Sequence, residues 1–398
     1  MTLRRALTAA CLAVVAMCAA GGAAAATCGA AAAVGGAVAP GAAPGEVRLG
    51  WFGPSDPNDP DAGMFWNGAT LAVEEINAAG GVAGRPLRLV PGWSENPWAG
   101  GVNRVARMVY DDGVVAVIGS IDGAATHLAE QVAAKALVAV VSPGNTDPTV
   151  NLAGVPWMYS LLPGDDVQAR AVTGYLAADP GRRPIALVSG TDHDARAAAA
   201  AFRAAFRAAG LAFDAAFECA ADAADATAVA GLVVAAAPRT VVVLASAAAS
   251  GRLAAALRAA GYDGVITGGA NLGRRRFVSL AGAAAEDAIV PLMHDPEAPR
   301  WRVFARAYIA RFGAEPDFTA GAAYDAVRVT VDAAGRAGLD RGRLLEAVHT
   351  TVPGGGVTGE IAFDRLGRNS RPVRMAVVMP GGRLQARARP WTAGDGRR

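Results

Sequence analysis

The sequence predicts an α/β protein built on two doubly wound parallel sheets. From residue 46 to about 294, short β-rich runs alternate with alanine-rich helical runs. That order builds parallel strands covered by helices on both faces. The stretch 47–90 reads as strand, loop, amphipathic helix, glycine stop and second strand. The length of 398 residues is enough for two domains of ordinary size, so two sheets fit better than one.

Taken in order, the strands are predicted at 47–52, 86–90, 114–118, 137–141, 184–189, 240–245 and 264–267. Helices fall between them, as at 102–111, 124–135, 194–209 and 251–260. In the first unit Ala69, Ala72, Val73 and Ile76 recur at helical spacing. Gly80 and Gly81 supply the left-handed stop that helix ends favour, and Leu87 and Leu89 then alternate with polar neighbours. The abundance of alanine suits helices through its high propensity.

Charge and address narrow the function. The net charge is +2, and Arg4 and Arg5 lie in an N-terminal segment without acids, so the rest of the chain is near neutral. That balance argues against a nucleic-acid partner. The basic cluster at 273–276 reads as a solvated surface or helix start rather than a phosphate site. Residues 1–26 read as a secretory signal: Arg4 and Arg5, an apolar stretch from Ala6 to Ala20, then small residues up to a cut after Ala26. The apolar stretch is short and alanine-rich for a membrane span. A lipid anchor on Cys18 or Cys28 is the alternative, although neither cysteine follows the expected small residue. Residues 27–45 are mostly alanine, glycine and proline, with almost no large side chains, and read as a flexible tether. Past the signal only Cys28 and Cys219 remain, with no disulfide framework and no C-x-x-C metal pattern.

Several segments resemble one family. Glu74–Arg85, with Ile76-Asn77 and Gly80-Gly81, resembles the E-x-I-N-x-x-G-G segment of the type I periplasmic binding proteins, in their branched-chain amino-acid (leucine)-binding group. The segment 322–338 is similar to its lobe-one helix, 356–368 to its G-x-T-G hairpin near a crossover, and 373–384 to its final strand pair. The resemblance covers about 46–384. It implies two discontinuous lobes, 46–163 plus 295–354 and 164–294 plus 355–388, before a tail at 389–398. Three hinge crossovers near 164, 294 and 355 would join them and let the lobes close on a ligand.

Ligands of open α/β sheets sit beyond the carboxyl ends of strands, so the loops there carry the candidate site. After 114–118 comes Asp122-Gly123-Ala124-Ala125-Thr126, opening a helix whose free N–H groups favour an acceptor. Relatives bind a ligand carboxylate with a serine-rich loop here. Thr126 keeps a hydroxyl, while Asp122 either caps the helix or meets an amine or hydroxyl. After 137–141, SPGNTDPTV resembles the family's S-P-x-x-T-x-P loop, which implies ligand contacts at Gly144, Asn145 and Thr146 unless it is only a structural turn.

In the second lobe the resemblance weakens. Asp192, His193 and Asp194 stand where many relatives carry D-x-x-Y-G. They suit a polar ligand or a plain solvated loop. They are weak metal evidence, since sequence neighbours rarely converge on one ion, and no metal is expected. Ser246 and Asn271 follow two later strands, and Ala270 falls where amino-acid binders place a glutamate for the ligand's ammonium. Trp51, Trp66, Trp93, Trp98 and Trp157 either line an aromatic cleft or pack elsewhere, and Trp66 is the one placed in the candidate site.

The expected function is capture of a small polar or amphipathic molecule, amino-acid-like or a small carboxylate or amide. Delivery would be to an ABC permease in the inner membrane, by a monomeric periplasmic protein without cofactor. A sensor of the same fold is the alternative. An enzyme is not expected: G-x-S-x-G, P-loop and H-E-x-x-H motifs are absent, and His127, His193, His294 and His349 are scattered.

Overall fold

The computed structural model describes residues 45–94, 97–350 and 355–387. The expected signal at 1–26, nearly all of the tether at 27–45 and the tail at 389–398 lie outside the described residues.

Alternation along the first strands places side chains on two faces of one sheet. In β1 (Val47–Phe52), Val47, Leu49 and Trp51 enter one core cluster and Phe52 enters another. The same switch divides Ile118 from Val117 in β3 (Ala116–Gly119) and Val141 from Val140 in β4 (Val140–Ser142). With β2 (Leu87–Pro91) and β5 (Met158–Ser160) these strands form a parallel sheet ordered β2-β1-β3-β4-β5. Helix α1 (Gly63–Ala78) covers one face. Helices α2 (Pro97–Tyr110) and α3 (Gly123–Ala136) cover the other, and a short α4 (Thr149–Leu152) follows β4. As the spacing predicts, Ala69, Ala72 and Ile76 of α1 are buried, and the helix stops where Gly80 and Gly81 take positive φ.

The second sheet repeats the logic. It contains β6 (Ile185–Gly190), β7 (Ala215–Cys219), β8 (Thr240–Leu244), β9 (Val265–Gly268), β10 (Ile289–Leu292), β11 (Arg374–Val378) and β12 (Leu384–Ala386). The order is β12-β11-β10-β9-β8-β6-β7, parallel except that β11 runs antiparallel to both β10 and β12. Val188 and Val243 face one cluster, Leu187 and Val242 the other. Helices α5 (Asp165–Ala177) and α6 (His193–Ala208) cover one face; α7 (Ala226–Ala235), α8 (Ala247–Ala259) and α9 (Arg275–Ala281) cover the opposite one. Helices α10 (Pro299–Phe312), α11 (Phe318–Ala337) and α12 (Arg341–His349) return to the first lobe, where Phe318, Ala322 and Leu344 join the core of Trp51.

Core membership locates the crossings. Leu162 packs with the first sheet and Ala169 with the second; Leu292 packs with the second and Met293 with the first. These two crossings fall near 164 and 294. The third is displaced from its expected place at 355. Ile361, Phe363 and Val373 still pack on the first core, and Ser160 of β5 exchanges backbone hydrogen bonds with Gly367 (2.9 Å) and Asn369 (3.0 Å). The chain therefore enters the second lobe between Val373 and β11. The 356–368 hairpin consists of isolated antiparallel bridges, Gly356–Gly359 and Phe363–Asn369, and Arg368 also bridges to Ser160 of β5.

Strands β5, β7 and β10 were not predicted. β5 is only three residues long, β7 exposes alternate residues, and β10 contains Pro291, which lacks a ladder donor.

Candidate ligand-binding site

Loops after β1, β3, β4, β6, β8 and β9 enclose a cavity of about 340 Å³ between the lobes. Of the candidate residues, Asp122, Gly144, Thr146, Asp192, Asp194, Ser246 and Asn271 line it.

On the first lobe, Asp122 caps α3: its Oδ1 accepts from Ala125 N at 2.7 Å. Gly123 lies behind it, and its N–H donates across the cleft to Asp194 Oδ1 at 2.8 Å. The acceptor that the helix start attracts is thus a carboxylate of the protein itself. Thr126 does not reach the cavity. Its hydroxyl accepts from Ser120 N (3.2 Å) and donates to Asp122 O, so it braces the loop. Asn145 is fully buried and also points away, donating to Ser160 Oγ at 2.7 Å and accepting from Asp147 N at 3.0 Å. It pins the proline-flanked loop to β5 and leaves Gly144 and Thr146 facing the cavity.

On the second lobe, Asp192 caps α6 through Ala195 N (2.9 Å) and Ser246 caps α8 through Ala249 N (3.1 Å). Asn271 donates to Ala245 O at 3.0 Å. His193 is turned out of the cavity, with Nε2 3.0 Å from Asp147 Oδ2 on the opposite lobe. The basic cluster starts α9 as expected, but it is more than a solvated surface. Arg274 lines the cavity and bonds to Asp61 O, and Arg276 Nε lies 3.3 Å from the Asp61 carboxylate.

The tryptophans do not line the cavity. Trp66 packs edge-on against buried Trp51 at 5.6 Å, and Trp157 donates to Ala133 O at 2.7 Å. Trp93 packs on Phe52, and Trp98 is exposed. The aromatic wall is instead Phe65 and Phe318, with Leu162 beside them.

Sequence reasoning also missed Asp165 and Gln168. Both are buried in the first turn of α5, immediately after the first crossing. A hinge that opens a helix toward the cleft was the available signal. Gln168 accepts from Ala270 N at 2.8 Å and donates to Pro163 O at 2.9 Å, tying the loop after β9 to the hinge.

Among the lining residues five aspartates (Asp61, Asp122, Asp165, Asp192 and Asp194) face one arginine, Arg274. Burial holds the Asp165 carboxyl well above the usual range, although a hydrogen bond with the Thr146 side chain opposes the shift. Burial likewise raises Asp122, and burial together with the Asp122 charge raises Asp194. A cation entering among these crowded carboxyls would favour their ionised form, so the cavity is suited to positive charge.

A family model described as "Periplasmic binding protein" matches residues 46–383. The chain belongs to that family. An amino acid binding protein of Pseudomonas aeruginosa is 29% identical over 160 residues, which span 40% of this chain and 43% of the relative. Among solved structures, the branched-chain amino acid transporter substrate binding protein LivJ of Streptococcus pneumoniae, in complex with isoleucine, aligns with a TM-score of 0.77 at 24% identity. That alignment covers 86% of this chain and 98% of LivJ. A solute binding protein of an ABC transporter from Rhodopseudomonas palustris, in complex with 3,4-dihydroxybenzoic acid, shares the fold at a TM-score of 0.77 and 17% identity, covering 85% and 95% of the two chains. These relatives are substrate-binding proteins and not enzymes, in line with the expectation from sequence. The two-lobed fold of the family accounts for the paired sheets, the three crossings and a cavity enclosed by strand-end loops.

Proposed function

We propose that this binding protein is the solute receptor of an ABC importer, and that its ligand presents an amine or similar donor group on a partly apolar body. The observation that carries the ligand class is the excess of carboxyls in the cavity. Asp122, Asp165 and Asp194 would surround the amine, and Phe65, Leu162 and Phe318 would take the apolar part. Asp194 already occupies the Gly123 N–H, which the family resemblance reserves for a ligand carboxylate. A ligand carboxylate would therefore turn to Arg274. An amino-acid-like zwitterion meets both requirements better than a plain carboxylic acid does. The volume lies at the small end of the range for small-molecule sites, roughly 300–1,000 Å³.

In this reading the lobes close on the solute and the closed monomer docks on a permease. Export to the periplasm is supported by the family and by the signal read at 1–26.

The test is a thermal-shift panel of amines, amino acids, aromatic acids and polyols. A binder at 100 times its dissociation constant should add roughly 2.7 kcal/mol of stability. Asp165→Asn is expected to weaken an amine-bearing ligand about tenfold or more, some 1.4 kcal/mol, without destabilising the free protein. Binding of carboxylic acids that lack an amine, with no response to amines, would overturn the ligand class.

A further inference from the structure

We propose that His127, Asp147 and His193 form a binding site for zinc or a similar divalent transition metal that clasps the two lobes in the closed form. The residues come from three elements. His127 lies in the second turn of α3, Asp147 lies in the loop after β4, and His193 opens α6 on the other lobe. One ligand atom from each lies within 4.8 Å of the other two.

Asp147 Oδ2 is 3.0 Å from His193 Nε2 and 3.5 Å from His127 Nε2. Ligands on a tetrahedral zinc ion, at bonds of 2.0–2.2 Å, sit about 3.3 Å apart. The carboxylate is thus already at the required separation from both imidazoles.

The surrounding contacts aim the ligand atoms at one another. Glu130 Oε2 lies 3.1 Å from His127 Nδ1 and fixes a proton there, so that Nε2, whose own proton an ion would displace, is aimed at Asp147. Thr149 satisfies Asp147 Oδ1 twice, through its N–H (2.9 Å) and its hydroxyl (2.7 Å), and so leaves Oδ2 for an ion. The Thr149 hydroxyl also lies 3.1 Å from His127 Nε2. Asp147 is buried, while the side chains of His127 and His193 are 28% and 41% exposed, so a fourth, water-filled position would open to solvent. Two imidazoles and one carboxylate suit zinc, cobalt, nickel or copper rather than magnesium or calcium.

The sequence neighbours of His193 take no part: Asp192 caps α6 and Asp194 bonds to Gly123. None of the three ligands lines the solute cavity, so an ion and a solute can be held together. Because the ligands come from both lobes, the ion binds the closed form better and shifts the equilibrium toward it.

The experiment is zinc titration of the chelator-stripped full chain by calorimetry, with Co²⁺ absorption as the probe of geometry. Saturable binding of one zinc ion is expected, and Co²⁺ should give the intense visible bands of a four-coordinate site. His193→Ala and His127→Ala should each lower zinc affinity at least tenfold, and His349→Ala should leave it unchanged. Absence of saturable zinc binding, a weak six-coordinate Co²⁺ spectrum, or unchanged affinity in both variants would overturn the proposal. The Co²⁺ spectrum of the unmutated chain decides the matter even if a variant does not fold.

Discussion

Asp325→Ala is expected to destabilise the protein by about 3–5 kcal/mol, the range for breaking a buried charged network. Asp325 sits in α11 at 1% exposure and holds the loop that follows α12. Its Oδ1 accepts from Val357 N at 2.7 Å. Its Oδ2 accepts from Thr358 N at 2.9 Å and from Thr358 Oγ1 at 2.6 Å. Arg371 lies close enough for charge interaction and itself bonds to Thr358 O and Met293 O, next to the second crossing. Alanine would strand three donors and leave Glu360 as the guanidinium's remaining counter-charge.

Asp325→Asn separates the charge from the hydrogen bonds. Burial raises the Asp325 carboxyl to about 6, opposed by the Thr358 and Val357 donors. A carboxyl raised above its unfolded value stabilises most when protonated. That contribution is full below about pH 4 and is lost as the pH rises through 6. The midpoint of wild-type unfolding should therefore fall relative to that of Asp325→Asn between pH 4 and 7. Parallel pH profiles for the two proteins would show that the carboxyl is not burdened by its burial.

Gly144→Ala should weaken both the fold and the ligand site. A Cβ at Gly144 would lie 2.1 Å from the Ile121 carbonyl oxygen and 2.4 Å from its carbon. Both obstacles are backbone, so the loop after β4 must lift away from the loop after β3. Overpacking of this kind costs about 1–3 kcal/mol. The lift would also part Thr146 from Asp122, and the ordering cost of restoring their arrangement should lower ligand affinity about tenfold. Melting and equilibrium binding of the variant check the two effects separately. A variant with wild-type values in both would mean the loops do not pack this closely.

Local pattern carried the architecture. Alternation in VRLGWF placed Trp51 and Phe52 on opposite faces of one sheet, and the glycines at 80–81 stopped α1 where expected. The cavity loops were legible too, because strand ends mark them. What each side chain in those loops does was not legible. Thr126 and Asn145 carry the polar groups of ligand contacts, yet the backbone of their own loops and, for Asn145, the Ser160 hydroxyl of β5 use them. Asp165 and Gln168 were missed because they follow a crossing rather than a strand end, although that crossing was itself expected near 164. The meeting of His127, Asp147 and His193 joins residues up to 66 positions apart, as 193 minus 127, and nothing local announces it. The third crossing moved for a similar reason: the backbone of β5, far back in the chain, captures residues 367–369.

That late crossing bears on how the molecule is made. The core around Trp51 requires Phe318, Leu344 and Ile361, and the second sheet ends only with β12. A chain emerging from N- to C-terminus would have all five strands of the first sheet and helices α1 to α3 available by residue 160, with α11 and α12 still unsynthesised. Domains usually complete folding as units once their sequence is available. Here neither lobe is available until the segment from Ile361 to β12 has been synthesised. The nascent chain should therefore stay incompletely packed for most of its synthesis, the state in which an unfolded polypeptide can be threaded through a membrane pore.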